Sequence, residues 1–80
     1  MNVQELQKVL EKNKVPEWYY TIHALGGGDC YGISNDDDGW FIFFSERGQQ
    51  RNKKYFISEL LACEALIDKV NDLLDKKIIL

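Results

Sequence analysis

Trp40-Phe41-Ile42-Phe43-Phe44-Ser45-Glu46 is the stretch whose reading decides the fold. Aromatic and β-branched residues run through it without a break, which is the composition of a strand. Neighbouring residues of a strand point to opposite faces of the sheet. Trp40, Ile42 and Phe44 therefore share one face, and Phe41 and Phe43 share the other. A two-layer domain needs only one apolar face, and the other normally alternates to polar. Either helices cover both sides of this strand, or an aromatic surface is left for a partner.

Toward the N-terminus, Asn35-Asp36-Asp37-Asp38-Gly39 is a hairpin signal, because Asp-Gly tolerates the positive φ angles of tight turns. A second strand precedes it at about 30–34. Before that come a flexible Gly26-Gly27-Gly28-Asp29 turn and a strand at about 18–24, Trp18 to Ala24. His23, in that strand, would face Cys30 across the hairpin. Trp18, Tyr20 and Ile22 against Tyr19, Thr21 and His23 repeat the two-faced pattern. Toward the C-terminus, Gly48 breaks the central strand and Gln49 to Lys54 is polar. Lys53 to Phe56 reads as a short fourth strand at the edge. All ten aromatic residues lie between positions 18 and 56.

Both flanks have helical periodicity. Val3, Leu6 and Leu10 recur at helix spacing, with Asn2 as N-cap and Glu5 three places on. Pro16 pushes the chain out of the α region, so this helix spans about 2–13. Leu60, Cys63, Leu66, Ile67, Val70, Leu73 and Leu74 form a continuous apolar stripe. Ser58 caps that helix and Glu59 stands at its positive pole. It ends near Lys76-Lys77, giving a helix of about 58–76. The expectation is one α+β domain over residues 1–80: helix, three- or four-stranded antiparallel sheet, helix.

Composition narrows the function. At 80 residues, 45% apolar and 29% charged, the chain is neither disordered nor membrane-spanning in character. Its start has no basic region followed by an apolar core, so a cytoplasmic protein with two reduced cysteines is expected. Net charge −3 argues against a general nucleic-acid binder. A domain this small buries only about 60–65% of its unfolded surface, which leaves little room for a deep cleft.

The chemical motifs fail one by one. Placing Gly39 at the sixth position of an EF-hand loop puts Ser34 first and Ser45 twelfth, where Asp and Glu are required. The acidic run reads more plainly as a solvated turn. Tyr31 stands where a dinucleotide loop needs its third glycine, and Ile33 where a phosphate loop needs lysine. No helix follows either. One histidine and two cysteines fall short of a structural zinc site. His23 with Cys30 is the one nucleophile–base pair available, and nothing supplies an orienting group or an oxyanion hole. No catalytic residue, metal or cofactor is assigned. Glu46-Arg47-Gly48 reads as strand-end charges before a turn, or as a polar contact for a partner.

Charge is segregated along the chain. Residues 17–46 hold six acids and no Lys or Arg, and residues 47–54 hold four bases and no acid. An acidic block that also holds the aromatics suits a basic partner.

Three segments carry a family resemblance. Val15-Pro16-Glu17-Trp18-Tyr19-Tyr20, then Gly39-Trp40 with Ser45-Glu46-Arg47-Gly48, then Phe56-x-Ser58-Glu59 with Ala62-Cys63-Glu64, resemble small bacterial immunity proteins. Those proteins belong to polymorphic-toxin and contact-dependent growth inhibition systems. The resemblance spans about positions 15–67, and the segment from Trp40 to Gly48 is its most specific part. It implies a binding protein rather than an enzyme, one that blocks the active site or substrate route of a cognate toxin domain. Many such toxins are basic nucleases. Asp36, Asp37, Asp38 and Glu46 are the expected charge contacts, with Trp40, Trp18 and Tyr19 as aromatic anchors. The alternative is a homodimeric structural or regulatory module that uses the aromatic sheet face for itself.

Overall fold

A computed structural model describes residues 1–23 and 29–74. The first helix, α1, spans Val3–Lys12, and Asn2 caps it by accepting the Glu5 N–H at 2.9 Å. A 3₁₀ turn, Glu17–Tyr19, leads into strand β1, Tyr20–Ile22. Strands β2, Cys30–Asp36, β3, Gly39–Glu46, and β4, Gln49–Phe56, follow as a meander. The second helix, α2, spans Glu59–Leu74, and its capping Ser58 Oγ accepts the Leu61 N–H at 3.2 Å. The broad α+β order of helix, sheet, helix is as expected. The Gly26–Gly28 turn and the end of the second helix at 76–77 lie outside the described residues.

The sheet has the order β1-β2-β3-β4 and is mixed, where an antiparallel one was expected. β1 runs parallel to β2, with Tyr20 beside Tyr31 and Ile22 beside Ile33. Parallel neighbours normally need a crossover of a dozen or more residues. β1 is so short that the chain needs to travel back only about 10 Å, three residues of strand. Residues 23–29 are enough for that. His23, with φ 60, ends the strand. Trp18 and Tyr19, expected in the strand, belong to the 3₁₀ turn, since Pro16 accepts the Tyr19 N–H at 3.0 Å.

β4 is twice the length expected, because pairing with β3 overrides its polar composition. Arg47 and Gly48 both take positive φ, 50 and 76. That is the backbone of a tight two-residue hairpin turn, and glycine adopts it without penalty. Ile42 pairs with Lys54 and Phe44 with Arg51, so Asn52 and Lys53 together oppose Phe43. Asn52, with φ 55, marks this bulge.

Both helices pack on the same face of the sheet. Leu6 and Leu10 of α1 and Ala62, Cys63, Leu66, Ile67 and Val70 of α2 form one buried cluster with Ile33 and Ile42. The Val3 N–H also donates to Glu59 Oε2 at 2.8 Å, which joins the first turns of the two helices. That carboxylate lies where two positive helix poles meet. Helical cover is therefore one-sided among the described residues. The opposite face is nevertheless closed. Phe41 and Phe43 are buried there with Cys30 and Ser45. The Phe41 ring packs on Phe43 at 5.8 Å and on Tyr55 at 5.1 Å, with Lys53 Nζ 4.8 Å from its centroid.

Gly32 makes that closure possible. A Cβ at this position would lie 2.4 Å from Phe43 Cζ and 2.6 Å from Thr21 Cγ2. Because Phe43 is only 1% exposed, its ring has no room to retreat. Gly32→Ala is expected to destabilise the fold by about 1–3 kcal/mol through overpacking. Urea unfolding measures this, and adding Phe43→Leu to Gly32→Ala should recover part of the loss. A variant as stable as the parent would show that the ring does not rest on the Gly32 backbone.

Candidate functional site

Pairing register divides the surface into two ends. Asp36 is opposite Gly39 and Trp40 opposite Phe56, so the β2–β3 turn, the end of β4 and the start of α2 lie together. Cys30 is opposite Ser45 and Glu46 opposite Gln49 at the other end. The expected contact residues are split accordingly. Asp36, Asp37, Asp38 and Trp40 lie at the first end. Glu46 is about 23 Å away along β3, seven residue steps. Trp18 and Tyr19 lie at the entrance to β1, also away from the acidic turn.

The acidic turn is internally braced. Asp36 Oδ2 accepts the Tyr55 hydroxyl at 2.8 Å, and its Oδ1 accepts the Asp38 N–H at 2.9 Å. The Tyr55 hydrogen bond, helped by the Asp38 N–H and by Lys53, holds the Asp36 carboxyl below the usual carboxylate range. The same hydrogen bond raises the Tyr55 phenol. Asp36 is thus committed to the turn, and exposed Asp37 and Asp38 carry the outward charge. Glu46 is occupied as well, by Arg51 Nε at 3.4 Å.

The aromatic candidates differ as much. Trp18 is 72% exposed and meets Tyr19 edge-on, ring centroids 6.4 Å apart. Tyr19 packs partly against the core. Trp40 is also half-buried against the core and lies 5.6 Å from the His23 ring, so it is not a free anchor.

Sequence reasoning missed Ile57 and Leu61, and it placed Leu60 and Leu73 on the apolar stripe of α2, where the structure exposes both. Ile57 is 96% exposed, and Leu60 and Leu61 in the first turn of α2 are also exposed. A residue just before an N-cap commonly packs on the fourth helical residue. Here that residue is Ala62, which is fully buried, and Ile57 faces solvent instead. The signal was an isoleucine directly before Ser58, off the helix stripe and at the end of a strand. It places apolar surface at the same end of the sheet as Asp37 and Asp38.

His23 and Cys30 do not meet. Because β1 and β2 are parallel, His23 lies by Ser34, with Nδ1 to Oγ 3.4 Å, while Cys30 begins β2 at the opposite end. Burial raises the Cys30 thiol and pushes Cys63 up to about 11, which disfavours both thiolates. Among the described residues no three His, Cys, Asp or Glu side chains are grouped to hold a metal ion. No described helix is long and apolar enough to cross a membrane. No protein-family model, curated protein or solved structure matches the chain.

A lowered carboxyl pKa contributes stability above the ordinary carboxylate range, and that contribution fades as pH falls through the folded value. Tyr55→Phe should raise the Asp36 titration toward the ordinary value and flatten the acid limb of the stability profile. Carboxyl-carbon NMR titration reads the first effect and unfolding against pH the second. An unmoved Asp36 titration would remove Tyr55 as its brace.

Proposed function

We propose that this chain is an immunity protein, neutralising a cognate bacterial toxin domain by protein–protein contact in the cytoplasm. The resemblance of residues 15–67 to that class motivates the reading. The observation that carries it is solvent-facing Ile57, at the same end of the sheet as the braced Asp36-Asp37-Asp38 turn. An exposed aliphatic contact at the same end as carboxylates suits a basic protein surface. The apolar part is desolvated on docking, and the charges steer the encounter.

In this reading the protein acts by occupying a surface rather than by chemistry of its own. Asp37 and Asp38 would occupy cationic groups that a nuclease toxin needs for its phosphate backbone. Ile57, Leu60 and Leu61 would then hold the complex closed. Trp40 is a supporting residue in this reading, holding the end of the sheet together through His23 and the core.

Finding whether a neighbouring reading frame ends in a toxin domain, and co-expressing that domain with this chain, tests the proposal. Growth should be restored, and the two proteins should co-purify. Replacing Asp36, Asp37 and Asp38 together by serine should slow association about tenfold at low salt and weaken its salt dependence. Ile57→Glu should raise Kd at least tenfold through faster dissociation, with unchanged Tm. Failure of the two chains to bind would overturn the function. Normal binding by both variants would overturn the surface.

A further inference from the structure

The sheet's two edges are unequal. β4 is guarded: its bulge at Asn52 breaks the ladder, and Arg51, Lys53 and Lys54 line it with cations. Bulges and charged side chains are the usual protection of an edge strand. β1, at the other edge, has neither. The His23 N–H donates to Ile33 O at 2.9 Å, so His23 turns its backbone toward β2. Alternation along the strand then turns the N–H and C=O groups of Ile22 and Tyr20 outward. They face a groove of about 510 Å³ between β1 and α1. Gln7, Glu11, Val15, Glu17, Tyr20 and Thr21 are among its lining residues, and no base is. Glu11 and Glu17 act on this site together, and both raise the Tyr20 phenol, after the larger effect of its burial.

We propose that β1 is a strand-accepting edge, where an extended Lys- or Arg-bearing segment of a partner protein adds a fifth strand. The added strand would pair with the backbone of Tyr20 and Ile22. Its cations would meet Glu11 and Glu17, and exposed Trp18 would flank its entry. Main-chain pairing supplies affinity in this mode, and side-chain contacts supply selectivity. A second copy of this chain fits poorly, because pairing two β1 edges would bring Glu11 and Glu17 of both copies together. This surface is separate from the turn that holds Asp37 and Asp38, so the inference stands without the toxin reading.

A short alternating lysine–valine peptide is the probe, titrated into the ¹⁵N-labelled full chain. Amide shifts should move at residues 20–22 and leave residues 36–38 unmoved. The same peptide N-methylated at alternate backbone nitrogens should lose binding, as should a glutamate–valine peptide. Glu11→Lys with Glu17→Lys, both exposed positions, should weaken the lysine–valine peptide at least tenfold. Equal binding of the methylated peptide, shifts mapped to the acidic turn, or no binding at all would each overturn the proposal. A β1-mediated dimer in sedimentation would overturn the choice of occupant.

Discussion

Where a side chain would stand on Gly32, the ring of Phe43 lies instead. That contact lets β3 carry large aromatics on both faces although the described helical residues cover only one. On the helix side, Ile33 and Ile42 meet Leu66 and Val70. On the other side, Phe43 lies against bare backbone, Phe41 leans on it, and Tyr55 with the stem of Lys53 closes over Phe41. A sheet covered this way needs no second helical layer. The same Tyr55 then reaches Asp36, so the packing of the aromatic face and the shape of the acidic turn depend on each other.

The central strand, both helices and the acidic turn were legible in the sequence, because apolar period and cap residues act locally. Asn2 and Ser58 cap the helices as expected, since short-range hydrogen bonds at a helix start are settled by the residues on the spot. Strand pairing is settled elsewhere. Gln49 to Lys54 has the composition of a loop, yet as an edge strand its polar side chains have solvent to face. The direction of β1 was hidden for a related reason. Aromatic, β-branched residues from Trp18 to Ala24 suggest a long strand that would pair by a hairpin. Pro16 and the positive φ of His23 leave three residues, short enough for the chain to return in parallel. The candidate site was half legible. Charge at Asp37 and Asp38 is visible in a sequence, whereas exposure of Ile57 depends on where α2 leaves the sheet.

Segregation of charge along the chain takes on another meaning once the strands are paired. The basic block is β4, and it lies against β3 from the acidic block, with Arg51 beside Glu46 and Lys53 near Asp36. Part of the contrast read along the sequence is thus offset within the sheet. What survives is local: the outward carboxylates at the turn, and Glu11 with Glu17 along β1. These are modest fields, and they act by orienting a partner at short range, inside a Debye length of about 8 Å at physiological salt.

The bulge in β4 has a consequence for stoichiometry. A sheet with two receptive edges can stack copies head to tail, β1 of one on β4 of the next, and such a contact never closes on itself. Asn52 shifts the ladder's register, and the charged lysines beside it would lose solvent under an incoming strand. If β1 accepts a strand as proposed, the guarded β4 edge disfavours a further addition, so the sheet favours one added partner over an open-ended stack.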